Sequence, residues 1–329
     1  MNHLKPNIGL TSILTGMILS LGTVMSASAD DHEVKITPLG SHDGEFCSRD
    51  RALVFEDPNG TRILYDAGRT VAGPDDPRLG KIDVVLVSHM HGDHVGDRRI
   101  TKTNAGTCGS PDTPMVTLPQ SNTVDIALKK NSTILTGSEM PAFFAAKLKN
   151  GGGDPSKSAL VRFGADKTIG GVSFTTVPAV HSNGVAPGFL TGPLAEYLAA
   201  AGVGASVGPP TGYVVTFSNG LVAYLSGDTG ITAEQQVVVG GHYKANLVVM
   251  NIGDTYTTGP SQAAYVVNDL VKPASVIASH ANEAATENGK VIDGTRTAEF
   301  IEHADMPVHV PLSGKTMAFG GDGSCTAGC

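Results

Sequence analysis

Three imidazoles and a carboxylate fall in one short window, Ser88-His89-Met90-His91-Gly92-Asp93-His94, directly after the apolar run Ile82-Asp83-Val84-Val85-Leu86-Val87. Neutral imidazole and carboxylate are the donors that zinc, manganese and iron take in open catalytic sites. His89 and His91, two apart in extended chain, project to the same side and can share one ion. Asp93 and His94 come round a turn toward a second position. A lone histidine is better read as a surface or satisfied core residue, but a dense cluster at the end of a buried strand, where open sheets carry their sites, reads as ligands. Three further donors stand at comparable places: His181 in Val177-Pro178-Ala179-Val180-His181, Asp228 in Leu225-Ser226-Gly227-Asp228, and His280 in Val276-Ile277-Ala278-Ser279-His280. Each is a weak signal by itself. His3, His32, His242, His303 and His309 fit no such slot and read as ordinary.

Those donors need elements to position them. Short β-branched runs at Val34 to Thr37, Ala52 to Glu56, Thr61 to Tyr65 and Ile82 to Val87 read as strands separated by Gly, Pro, Asn and Asp. Asp57-Pro58-Asn59-Gly60 is a tight turn, because Pro presets φ and Asn-Gly tolerates positive φ, so the flanking strands form a hairpin. Helical spacing follows at Val124 to Lys130 and Pro141 to Leu148, then strands at Ala159 to Phe163 and Val172 to Val177. Residues 185–210, rich in Gly, Pro and Ala with a helical patch at Leu194 to Ala200, read as an inserted loop and a candidate lid beside His181. Strands are then expected at Tyr213 to Phe217, Leu221 to Leu225, Leu247 to Asn251 and Ser275 to Ser279, with helices from about Thr232, at Ser261 to Val271 and at Thr295 to His303. Hairpins first and β-then-α units later, in both halves, suggest two sheets face to face with helices outside.

Ser88 to His94 resembles the H-x-H-x-D-H signature of the metallo-β-lactamase superfamily, and the other donors occur in that family's order. The resemblance implies an α/β fold, the four-layer αββα sandwich, as a single domain over residues 30–329. It implies a third ligand at His181, a bridging acid at Asp228, a last histidine ligand at His280, and a supporting acid at Asp66 in Ile63-Leu64-Tyr65-Asp66-Ala67-Gly68. Asn251 to Pro260, followed by Ala263-Ala264-Tyr265 and Lys272-Pro273, is similar to the branch containing ascorbate-6-phosphate lactonase and uncharacterised metal-dependent hydrolases. There the Gly-Asp residues shape the floor of the site, which marks Asp254; capping the following helix is the plainer role for that residue. The branch's early Gly-His turn is altered to Gly40-Ser41-His42, which removes the basis for a role at His42.

What the resemblance implies chemically is a pair of divalent metal ions, zinc first, with manganese and iron equally suited to the donors. His89, His91 and His181 would hold one ion, Asp93, His94 and His280 the other, and Asp228 both. A hydroxide shared by the ions is the expected nucleophile, with Asp93 as acceptor of its proton. β-Lactamases of the superfamily usually carry Cys at the place of Asp228 or lack the bridging acid, so antibiotic hydrolysis is not expected. Lactone or carboxylic ester hydrolysis on a small molecule is the first reading. Hydrolysis of a small or lipid phosphodiester is the second, and a secreted metal-binding protein without turnover is the alternative from another class.

Lys5, the apolar run from Ile8 to Val24 and Ala27-Ser28-Ala29 read as a secretory signal peptide cleaved near Ala29, which makes the mature protein periplasmic or secreted. The chain has 23 basic and 31 acidic residues, and cleavage removes only Lys5, leaving 22 against 31 or −9, a balance poorly suited to nucleic acid. No later segment offers about 20 consecutive apolar residues, so no membrane span is expected in the mature protein. Cys47, Cys108, Cys325 and Cys329 fit disulfides in an oxidising compartment; three pairings are open, with Cys47–Cys108 and Cys325–Cys329 favoured. A four-thiolate zinc site lacks the two close Cys pairs such sites normally have.

Overall fold

The computed structural model describes Met1 and residues 32–329, so the expected signal segment, residues 1–29, lies outside the described residues from residue 2 onward. Two sheets carry the fold. The first is built from β1 (Val34–Pro38), β2 (Leu53–Glu56), β3 (Arg62–Tyr65), β4 (Val84–Leu86), β5 (Thr133–Thr136) and β6 (Ser158–Leu160). The second follows as β7 (Asp166–Ile169), β8 (Val172–Pro178), β9 (Thr211–Thr216), β10 (Val222–Leu225), β11 (Leu247–Asn251), β12 (Ser275–Ser279) and β13 (Val308–His309). The chain then returns to the first sheet with β14 (Met317–Phe319) and β15 (Cys325–Ala327), giving the order β6-β5-β4-β3-β2-β1-β14-β15. Each sheet is antiparallel on one side and parallel on the other: β3 to β6 run parallel in the first, β10 to β13 in the second.

Alternation along the strands creates the layers. On β3, Ile63 and Tyr65 enter the core between the sheets while Leu64 faces outward; on β11, Leu247 and Val249 point in while Val248 and Met250 point out. Both faces are apolar, so both must be covered. Outside the first sheet lie α1 (Gly92–Val95), α2 (Asn122–Lys130) and α3 (Met140–Asn150), whose Val124, Ile126, Phe144 and Leu148 pack against Val54, Leu64, Val85 and Ile134. After α4 (Pro193–Ala201) come α5 (Gln235–Tyr243), α6 (Pro260–Tyr265, continued by wider turns over Val266–Val271) and α7 (Arg296–His303); of these three, Val239, Ala263, Val267 and Phe300 cover the second sheet. The result is the four-layer αββα sandwich. Each fully buried aromatic or aliphatic side chain contributes roughly 1.5–3 kcal/mol.

Local signals account for the helix ends. Ser121 Oγ accepts the Val124 N–H to start α2, and Asn131 closes it in the left-handed conformation at φ 55°. β5 was not expected: Thr133 to Thr136 is four residues long and begins right after the end of α2, with no alternation to mark it. Also unexpected are β7, the C-terminal strands, and two small hairpins within 98–116. Across the 185–210 segment, Gly184–Val185 pairs with Ala205–Ser206 at the base of α4. The cysteines pair as Cys47–Cys108 and Cys325–Cys329, which removes the thiolate-zinc reading. No helix among the described residues is long and apolar enough to cross a membrane.

Candidate metal centre

The expected donors sit at the carboxyl ends of strands from both sheets, where the sandwich opens. Asp66 follows β3, the His89–His94 segment follows β4, His181 follows β8, Asp228 follows β10 and His280 follows β12 directly. Tyr213, buried between the sheets, donates its hydroxyl to the Val87 carbonyl at 2.6 Å and so fixes the strand end that launches His89. Gly68, at φ 54°, lets the Asp93 carbonyl approach so closely that a Cβ there would stand 2.6 Å from it. Asp66 and His280 themselves adopt left-handed backbone, φ 42° and 53°, uncommon for residues with side chains and typical of sites that hold strain for a purpose.

The seven donors converge. His89, His91, His181 and Asp228 offer atoms within 4.8 Å of one another, and Asp93, His94 and His280 do the same. Asp228 Oδ2 stands between the two groups, 3.7 Å from the Nε2 of both His89 and His181, 3.3 Å from that of His94 and 3.1 Å from that of His280. Asp93 Oδ2 lies 3.6 Å and 3.5 Å from the Nε2 atoms of His94 and His280. Two donors about 2.0–2.1 Å from one tetrahedral ion are about 3.3 Å apart, so this spacing is that of ligands around cations. The buried His89 Nε2, His94 Nε2, both ring nitrogens of His280 and Asp228 Oδ1 have no hydrogen-bond partner among the described residues. An unsatisfied buried polar atom costs about 1–3 kcal/mol, which a cation at this point would relieve. The donor set therefore fits divalent metal.

Neighbours fix which ring nitrogen faces the cluster; the tautomers follow from the hydrogen-bond network. His94 Nδ1 donates to Asp66 Oδ2 at 2.7 Å, leaving Nε2 free. His89 Nδ1 stands 3.0 Å from Ser88 Oγ, which itself donates to Asp66 Oδ2 at 2.7 Å. His91 is reversed: Nε2 meets Ser182 Oγ at 3.2 Å, and Nδ1 faces His181 Nε2 at 3.3 Å. Such outer contacts orient ligands and set their basicity. Burial first, then the charge of His94, holds His89 well below the usual imidazole range; burial also lowers His91 and His181. Burial pushes Asp93 and Asp228 upward, but His94 and His280, with Arg51 beside Asp93, outweigh it and keep both carboxyls well below their ordinary value. Burial opposes charge on His94 too, yet Asp228, Asp93 and Asp66 together raise it, so proton and cation compete for its Nε2.

Residues 61–281 match the family described as the beta-lactamase superfamily domain. The chain belongs to the metallo-β-lactamase superfamily. It is similar to a UPF0173 metal-dependent hydrolase of Koribacter versatilis, 27% identical over 265 residues that cover 79% of this chain and 91% of the relative. Among solved structures it resembles a metallo-hydrolase of the archaeon Ignicoccus hospitalis, with TM-score 0.56 and 21% identity over 87% of this chain and 98% of the other. An isothiocyanate hydrolase from Delia radicum gut bacteria shares the fold at TM-score 0.51 and 18% identity, covering 87% and 99%. This metallo-β-lactamase superfamily member is a metal-dependent hydrolase.

Two expectations change. Asp254 does not reach the cluster: with φ 47° there and 58° at Thr255, its Oδ1 turns back to accept the Thr255 N–H at 2.7 Å. Nor does it cap α6, whose N-cap is Gly259 with no side-chain cap bond. Its neighbour Gly253 matters instead, since a Cβ there would stand 2.3 Å from the His280 carbonyl and 2.7 Å from its Nδ1. His42 faces Ser41 Oγ and the Gly106 carbonyl, away from the donors. Sequence reading missed Arg51, buried, whose NH2 group reaches Asp93 Oδ2 at 3.3 Å and Asn282 Oδ1 at 2.6 Å. The Arg-Asp-Arg run at 49–51 and an amide two residues after His280 were the available signals.

Proposed function

We propose that this hydrolase is exported, holds two divalent cations, zinc by first expectation, and opens a lactone or carboxylic ester. The observation that carries the dinuclear reading is Asp228 Oδ2, within 3.7 Å of four imidazole nitrogens that belong to both donor groups. His89, His91 and His181 would hold one cation, Asp93, His94 and His280 the other, and Asp228 both. Bound there, the cations supply a water whose pKa falls toward about 7 and polarise the substrate oxygen. Asp93, which Arg51 at 3.3 Å helps keep ionised, is the proposed acceptor of the attacking water's proton. Asp66, Ser88 and Ser182 keep the imidazole tautomers that leave donor nitrogens inward. Export is supported by the two disulfides, which persist in oxidising compartments.

Two cavities meet at His91 and support an ester over a small phosphodiester. One, of about 420 Å³, holds Asp93, Asp228, His181 and His280. The other, of about 470 Å³, runs along Val185, Ala186, Pro187, Leu198, Ala199 and Val203, an apolar groove suited to an acyl chain. The test is a panel of lactones and esters of graded acyl length beside bis-aryl phosphodiesters, with and without chelator. Chelator-sensitive ester turnover that rises with chain length is expected. Turnover of phosphodiesters alone would replace the ester by the phosphodiester reading.

A further inference from the structure

Three guanidinium groups, Arg49, Arg51 and Arg69, line the cavity that holds Asp93, Asp228, His181 and His280, on a chain whose net charge is −8. Two of them are engaged. Arg51 is buried and bonded to Asp93, Asn282 and the main-chain oxygens of Ser48 and Asp50. Arg69 forks onto Asp97 at 2.7 Å and 2.9 Å. Arg49 is exposed and faces no ion-pair partner among the described residues. Its neighbours include two like charges: partial burial first, then Arg69 and Arg51, pull the guanidinium pKa down, against the weaker opposite pull of Asp93 and Asp97.

The segment that carries Arg49 is held firmly. The buried Asp50 next to it accepts the N–H groups of Ser41 and Cys47 at 2.9 Å each, and Cys47 is tied to Cys108. An exposed arginine is ordinarily a solvated charge that contributes little. Here it stands on a pinned loop, on the wall of the reaction cavity, beside two guanidinium groups whose own carboxylate partners leave none for it. We infer that the substrate carries an anionic group apart from the bond that is cleaved, a carboxylate or a phosphate, and that Arg49 is the residue that selects it. The anion would satisfy the fork of guanidinium donors that Arg49 alone of the three leaves without a carboxylate among the described residues. The apolar groove lined by Val185 and Leu198 has no lining residue of this kind, so the two ends of the substrate would differ in polarity.

This inference rests on the hydrolytic reading, and the experiment separates the two. Matched substrates of whichever class the metal-loaded enzyme turns over are prepared with the far end as a free carboxylate, as a phosphate monoester, or capped as a neutral methyl ester. Wild type is expected to favour an anionic form over the capped one by about tenfold in kcat/KM, carried mainly by KM and shrinking as salt is added. The larger of the two ratios identifies carboxylate or phosphate. In Arg49→Gln the ratio collapses toward one, and Arg49→Lys keeps part of it, with thermal midpoints compared to exclude unfolding. Equal use of capped and uncapped substrates by wild type, or an unaltered ratio in Arg49→Gln, overturns the inference while hydrolysis stands. No turnover of any substrate overturns both.

Discussion

At the floor of the site every donor faces another: His89, His94, Asp228 and His280 are each at most 4% exposed, His94 on the short helix α1 and the other three just past strand ends shared with the core. At the rim, Arg49 and Tyr256 stand in loops, and α4 has no buried residue, with Tyr197 72% exposed. The floor is over-determined, since moving one donor strands the charge of the next. The rim side chains make few contacts with the donors, so they can vary without disturbing the chemistry. A fixed hydrolytic centre with a changeable approach is how one fold serves many substrates.

Replacing a floor residue should have the largest effect. Asp228→Asn keeps the shape but removes the charge shared by both donor groups, and kcat/KM should fall on the order of 10³-fold; a loss under about tenfold would place Asp228 outside the chemistry. The anchor of the Arg49 loop gives a pH signature. Burial raises Asp50 from 3.8 to about 6, so between those values the folded state binds more protons than the unfolded one. Stability is then present at low pH and lost as pH rises through about 6, by roughly 3 kcal/mol. Denaturant titrations from pH 4 to 7 should show the decline, and Asp50→Asn should flatten it.

Asp66→Asn tests the layer beneath the donors. It weakens the acceptor for His94 and Ser88, and metal affinity measured by competition with a chelating dye should drop about 10–100-fold. The smallest effect belongs to the rim: Leu198→Gln in the apolar groove should raise KM for a long-chain ester severalfold, up to about tenfold, and move a short-chain ester less. Equal changes for both chain lengths would detach the groove from substrate binding.

The same division explains what could be read beforehand. The donors were legible because their spacing is improbable by accident and because each later one follows a buried strand, as Asp228 follows Leu225 and His280 follows Ser279. The layers were legible from hairpins and β-then-α order together with the family resemblance. β5 was not, because Thr133 to Thr136 is a short run whose two faces, Leu135 inward and Ile134 outward, are buried by neighbours distant in sequence. Asp254 misled because its residue type suggested a carboxylate at the floor, whereas positive φ turns it away and the adjacent Gly253 makes the close approach. Arg51 was invisible for a related reason: an arginine before a strand reads as solvated until Asp93 and Asn282 are folded over it.

The central claim is that two cations occupy adjoining donor groups joined by one carboxylate. Anomalous diffraction from crystals of the metal-loaded protein, combined with elemental analysis, tests it directly. Two peaks per chain are predicted, one among His89, His91 and His181 and one among Asp93, His94 and His280, both in contact with Asp228. A single peak, or none within reach of Asp228, would contradict the account.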